Sequence, residues 1–199
     1  FAMAFQTYTG AALTEKMRLD SSGNLGIGTN NPQENLHIKD PSDGIPVFRL
    51  EGGSRTYQQF VSGNDFFIRD VTASSNRIVL DNNGRVGIGN TSPGLKLDVT
   101  GDIRASADVI AFSDRKLKKN IKTLDGKKVY DMRGVSFTRI DTNKESSGVI
   151  AQEIQKIAPE LVNETGDTLG VAYGNLTGYL IEAIKDLKQE IEELKKQIK

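Results

Sequence analysis

The densest run of chemistry-bearing residues is Ser113-Asp114-Arg115-Lys116-Leu117-Lys118-Lys119-Asn120-Ile121, with one serine and four cations within seven residues. A serine hydroxyl becomes a nucleophile only beside a base. His37 is the single histidine, so a Ser-His-Asp triad would have to be built on it. It lies in Leu36-His37-Ile38, an alternating pattern that reads as an ordinary strand histidine. Cysteine is absent, which excludes disulfides, thiolate metal sites and cysteine nucleophiles together. No residue pattern points to a metal or cofactor. The plain reading of the run is a short helix reaching Asn120, capped by Ser113 or Asp114, with its cations toward the far end. The residue pattern alone leaves the nucleophile and the cap both open.

The elements on either side differ in kind. The 199 residues allow one or two domains, and the formal net charge of zero gives no reason to expect nucleic acid or a membrane surface as partner. No apolar run approaches the length of a membrane span. No signal peptide is visible and the first residue is Phe1, which suggests a piece of a longer protein. Hydrophobic residues make up 37 % and glycines number 20, lean for a self-sufficient globule and suited to an elongated or oligomeric protein that completes its core with other chains.

Residues 1–112 read as all-β. Phe5-Gln6-Thr7-Tyr8-Thr9 alternates like a strand. An internal repeat follows, spanning 19–39 and 80–101. Leu19-Asp20-Ser21-Ser22-Gly23-Asn24-Leu25-Gly26-Ile27-Gly28 matches Leu80-Asp81-Asn82-Asn83-Gly84-Arg85-Val86-Gly87-Ile88-Gly89. Each copy then reaches a proline, Pro32 or Pro93, and an alternating run, Asn35–Lys39 or Leu95–Val99. The Asp-x-x-Gly tetrapeptide predicts a tight turn with positive φ at glycine. The Gly-Ile-Gly strand that follows predicts close backbone approach, either where chains meet around an axis or in a meander with glycine bulges. It is no phosphate loop, because neither a helix nor a Lys-Ser/Thr closes it. Val47–Leu50, Gln58–Val61 and Phe66–Val71 are further short strands, and Val99–Ala111 continues strand-like. Tyr57, Phe66 and Phe67 fit core or axis positions better than a glycan site.

Beyond Phe112 the pattern predicts a small α+β unit. Lys128–Tyr130 and Val135–Ile140 read as strands. Gly148–Ile157 begins as a strand and becomes a helix bounded by Pro159. Leu161-Val162 and Leu169–Tyr173 are short strands. From Asn175 onward the chain reads as one helix. Leu180, Ile184, Leu187, Ile191, Leu194 and Ile198 form a heptad seam with Ile at a and Leu at d. That choice favours dimers, although under three heptads leave the state to the preceding domains.

The run opening at Ser113, followed by Gly148-Val149-Ile150-Ala151-Gln152-Glu153 and a helical tail, resembles the peptidase S74 family, the intramolecular chaperone domains that end bacteriophage tail spikes and tail fibres. The resemblance covers 113–199, and the Gly-Ile-Gly repeats are similar to those that often precede this domain. It implies a mixed fold: an intertwined trimeric β-stalk (1–112), a chaperone and autoprotease domain (113–178) and a coiled-coil helix (179–199). It implies a homotrimer, located in the virion as a tail fibre or spike. The chaperone would release itself by cutting between Phe112 and Ser113. The family's dyad carries over to Ser113 and Lys118.

A neutral lysine is the standard base where histidine is missing. An unperturbed lysine titrates near about 10.4, so it must be desolvated or crowded by cations to serve. On a regular helix Lys118 would stand roughly 140° away from Ser113. The two therefore meet only if Ser113 lies outside the helix, if the segment is not helical, or if the lysine comes from another chain. Some family members carry a histidine in this domain, and none follows His37 here. The competing expectations are a non-cleaving fibre tip that binds a host cell-surface receptor through the N-terminal region, and a membrane-bound transcription factor with a similar domain. The lack of a basic stripe and of a membrane span argues against the latter for this stretch.

Overall fold

The computed structural model describes the chain except residues 9, 41, 43, 166, 167 and 199, together with the side chain of residue 165. Thr9, the end of the first expected strand, lies outside the described residues. The chain divides into two compact units, 1–106 and 107–199.

The first unit holds two sheets. One runs in sequence order through β1 (Met3–Tyr8), β2 (Leu13–Leu19), β3 (Leu25–Ile27) and β4 (Leu36–Ile38). The other contains β5 (Val47–Glu51), β6 (Thr56–Ser62), β7 (Asp65–Asp70), β8 (Ser75–Leu80), β9 (Val86–Ile88) and β10 (Leu97–Val99) as six consecutive neighbours. Both are antiparallel meanders ending in a parallel pair, β3 with β4 and β9 with β10. Only Val99 of the expected Val99–Ala111 strand is one; residues 102–111 are irregular and exposed.

The Asp-x-x-Gly turns of the two repeat copies make the same amide bonds. Asp20 Oδ1 accepts from the amides of Ser22 and Asn24, and Asp81 Oδ1 from those of Asn83 and Arg85. Gly23 and Gly84 sit at φ +87° and +67° in these turns, a region that glycine enters without a Cβ penalty. The inner glycines have a different reason. A Cβ on Gly26 would lie 2.6 Å from the Thr29 carbonyl oxygen, and one on Gly87 would lie 2.0 Å from that of Asn90. The close approach expected at Gly-Ile-Gly is therefore made by the chain's own loop, which folds back over the strand before the parallel partner enters.

Opposed residues share a face, so the registers show what each sheet presents. Leu19–Leu25–Leu36 and Met17–Ile27–Ile38 form two rows in the first sheet. Leu80–Val86–Leu97 and Ile78–Ile88–Val99 form the same rows in the second. Val61 and Phe66 pair into the Leu80 row, and Phe48 and Leu50 continue that face on β5. Leu19, Ile27, Leu36, Phe48, Leu50, Leu80, Ile88 and Leu97 are all exposed. On the opposite face Phe60 stacks on Phe67 at 5.1 Å between centroids. Among the described residues of this unit, Val79 is the one buried large aliphatic side chain outside proline. Asp70, also buried, is held by Arg55 at 2.8 Å, Arg77 at 2.9 Å and the Ala73 amide.

The second unit has a true core. Ile154 on α1 (Ala151–Ile157), Ala158, Leu161 and Tyr179 on α2 (Tyr173–Gln197) are buried together, with Val129, Met132, Val149, Val162 and Leu176 packed around them. Two hairpins complete it: β11 (Gly134–Thr138) with β12 (Glu145–Val149), and β13 (Val162–Thr165) with β14 (Thr168–Val171). Lys128–Tyr130, expected as a strand, belongs instead to a 3-10 segment over Gly126–Asp131. Asp125 caps this segment through the Lys127 amide, and it docks where a Cβ on Gly126 would stand 2.3 Å from the Ala183 nitrogen. The seam residues of α2 are exposed, from 43 % at Leu180 to 66 % at Ile184, as is Ile198 just past its end, while Tyr179 and Ala183 face the domain.

Candidate functional site

The residues 113–120 form no regular α-helix. Ser113 lies outside a single 3-10 turn, Arg115–Leu117. Asp114, with extended backbone, accepts the Lys116 amide on Oδ1 at 2.9 Å. The amides of Leu117 and Lys118 bond back to the carbonyls of Asp114 and Arg115. Lys118 then leaves the turn extended, at φ −127° and ψ 142°. This tight turn removes the angular problem of a regular helix. Lys118 Nζ donates to Ser113 Oγ at 2.7 Å within one chain. The family resemblance pairs these residues, but the sequence could not show how they meet; the Asp-x-Lys spacing of an Asx-capped turn is the signal that bears on it.

The pair is open to solvent. Ser113 and Lys118 are both exposed, and Val109, Ile110 and Phe112 are 87 %, 86 % and 95 % exposed. Among the described residues, the side-chain contacts of this stretch are the Lys118–Ser113 bond, the Asp114 cap and an Asp114–Lys116 ion pair at 3.3 Å.

The Gly148–Glu153 motif turns from β12 into α1. The Val149 amide donates to the Tyr173 hydroxyl at 3.2 Å. A Cβ on Gly148 would come within 2.4 Å of that same oxygen, so the glycine makes room for it. Glu153 pairs with Arg133, whose side-chain hydrogen bond holds the carboxyl below its ordinary range. Tyr179, beneath Lys128 Nζ at 5.8 Å, donates to Glu160. Burial first, and the Glu160 carboxylate second, push the Tyr179 hydroxyl up to about 12. The same bond lowers Glu160. These contacts orient the domain around the motif and touch neither Ser113 nor Lys118.

Residues 113–163 match the Peptidase_S74 family model, described as chaperone of endosialidase. The match opens on Ser113 and takes in the Gly148–Glu153 motif. Long tail fiber protein Gp37 of Salmonella phage S16 is 33 % identical over 106 residues, covering 46 % of this chain and 14 % of that protein. Long tail fiber protein Gp37 of Enterobacteria phage Ox2 is 31 % identical over 102 residues, covering 45 % and 41 %. Myelin gene regulatory factor-like A of Dictyostelium discoideum is 32 % identical over 123 residues, covering 54 % and 13 %. The chain thus spans less than half the length of each of these relatives. Residues 113–163 resemble the Peptidase_S74 family, and together with the tail-fibre relatives this match supports a phage tail-fibre chaperone domain in that stretch.

Proposed function

We propose that this chain is the C-terminal part of a phage tail fibre in the virion, whose chaperone domain drives homotrimerisation of residues 1–112 and then releases itself by cutting between Phe112 and Ser113. The observation that carries the reading is the 2.7 Å contact between Lys118 Nζ and Ser113 Oγ, at the first residue of the family match. The apolar rows of the first unit support the assembly half. They leave a large hydrophobic face uncovered on a unit with almost no core of its own, a surface that marks an interaction site. The α2 seam offers a second one.

The chemistry balances within one residue pair. Neutral Lys118 takes the Ser113 hydroxyl proton, and Oγ attacks the carbonyl carbon of Phe112. The Phe112–Ser113 C–N bond breaks, and the lysine ammonium gives its proton to the departing Ser113 nitrogen. An ester then joins Phe112 to Ser113 Oγ. Water hydrolyses it, leaving a Phe112 carboxylate and a free Ser113 amino terminus. In the single chain the lysine donates to the hydroxyl, whereas catalysis needs it to accept. Burial by neighbouring copies disfavours the charged amine and supplies that reversal.

The test is a time course of the purified chain at several concentrations, read by intact mass. Expected are fragments 1–112 and 113–199, a rate that falls on dilution into monomer, and no cut in Ser113→Ala or Lys118→Met. A chain that stays whole as a trimer leaves the non-cleaving, receptor-binding fibre tip. A rate unchanged on dilution rejects the dependence on assembly.

A further inference from the structure

We propose that Asp114 is a positioning residue for the cut, acting through Lys118. This rests on the reading of Ser113 and Lys118 as the self-cleaving pair. Neither member is buried, and among the described residues the hydrogen bonds of Ser113 and Lys118 stay within 113–118. Their meeting therefore depends on the local turn, and Asp114 supplies its side-chain supports: Oδ1 on the Lys116 amide, and an Oδ2–Lys116 Nζ ion pair at 3.3 Å that solvent exposure makes the weaker of the two. Cap and pair are geometrically coupled. Asp114 holds extended backbone at φ −61° and ψ 138°, which leaves Ser113 before the turn. The closed turn then delivers Lys118 five residues later at hydrogen-bond distance. Without the cap the segment opens, and an extended chain carries the lysine away at roughly 3.3 Å per residue.

A cap works through an acceptor oxygen, not through its charge. Asparagine and serine are therefore competent replacements, and alanine is not. The experiment measures single-turnover cleavage of the full chain for wild type and for Asp114→Ala, Asp114→Asn and Asp114→Ser, across pH. Expected is a loss of about fivefold or more in Asp114→Ala, with Asn and Ser within about twofold of wild type. The pH midpoint of Asp114→Ala should coincide with that of wild type, because the ionising pair is untouched. Equal rates for Asp114→Ala and wild type overturn the positioning role while leaving the dyad standing. An Asn variant as slow as alanine, or a moved midpoint, also overturns it, since either makes the carboxylate charge the agent. A wild-type chain that never cuts fails the underlying reading instead. Oligomeric mass of each variant in a Ser113→Ala background identifies any loss that comes through assembly, and the Asn and Ser comparison still decides the case.

Discussion

Replacing Gly126 by alanine is expected to unfasten the second unit from its long helix. The new Cβ would stand 2.3 Å from the Ala183 nitrogen, 2.5 Å from the Glu182 carbonyl carbon and 2.8 Å from the Ala183 Cα. All three are backbone atoms of a continuous helix, so no rotamer change relieves the overlap. Ordinary contact begins near 3.4 Å, so the Gly126–Asp131 segment has to withdraw by roughly 1 Å. Dispersion falls off steeply over such a gap, and overpacking of this kind costs about 1–3 kcal/mol, at times more. The same shift pulls Val129 and Met132 from the cluster around Ile154 and Tyr179. We therefore expect a loss of about 2–4 kcal/mol. The assay is denaturant unfolding of Ser113→Ala chains, to keep the polypeptide whole. Gly134→Ala is the control, since its Cβ meets nothing within 4 Å. At a strand position it should stay within about 0.5 kcal/mol of the parent. A Gly126→Ala chain with the control's stability would refute the tight docking.

Two more expectations concern pH. Burial raises Asp81, but amide and side-chain hydrogen bonds from Arg85 and Asn83 outweigh it and bring the carboxyl to about 2. A depressed carboxylate adds stability above its ordinary value of 3.8 that is lost as pH falls toward about 2. Carbon NMR of the Asp81 carboxyl should show that low midpoint, and Asp81→Asn should flatten acid unfolding of the repeat there; a titration near the ordinary value refutes this. Tyr179, raised to about 12, has the opposite sign: its contribution is present below 10 and is lost as pH rises toward 12. Tyr179→Phe removes the bond to a half-exposed Glu160 and should cost about 1 kcal/mol in denaturant unfolding, with Glu160 titrating higher. Unchanged stability and an unchanged Glu160 would show the bond to be idle.

What the sequence makes legible is whatever repeats or follows a period. The Asp-x-x-Gly turns, the short strands through Gly26-Ile27 and Gly87-Ile88 and the long C-terminal helix are all in place, the helix beginning two residues earlier at Tyr173 and ending at Gln197. What escapes is short, capped and non-periodic. Lys128-Val129-Tyr130 looks like a strand because Val and Tyr favour one. Asp125 nevertheless caps a 3-10 segment, and the bare Gly126 lets it press against Ala183, a tertiary contact that no local propensity encodes. The turn at Arg115–Leu117 escapes for the same reason. The glycines of the repeat were legible as sites of close approach, but the pattern could not say what approaches. Thr29 and Asn90 sit in loops whose path depends on the parallel pairing of β3 with β4 and β9 with β10, and short parallel connections leave no periodic trace.

The proposed order of events follows from where apolar surface lies. The second unit buries its own cluster and can fold first, as a body held by local hairpins and a long helix. The first unit leaves its two equivalent rows uncovered, and in the proposed assembly other copies supply most of its favourable burial. Interchain β-contacts of that kind are slow to form, and their open faces aggregate meanwhile. Three chains joined by folded tails meet at a high effective concentration and a common level, which favours matching rows over shifted ones. Cutting before assembly would discard that help. The exposure of the Ser113–Lys118 pair offers a physical reason for delay in the proposed scheme: water competes for both groups until neighbouring copies cover them. Severance afterwards costs the buried rows nothing, and a stalk pulled apart then has no clamp to realign it. Its persistence is set by the unfolding barrier rather than by equilibrium.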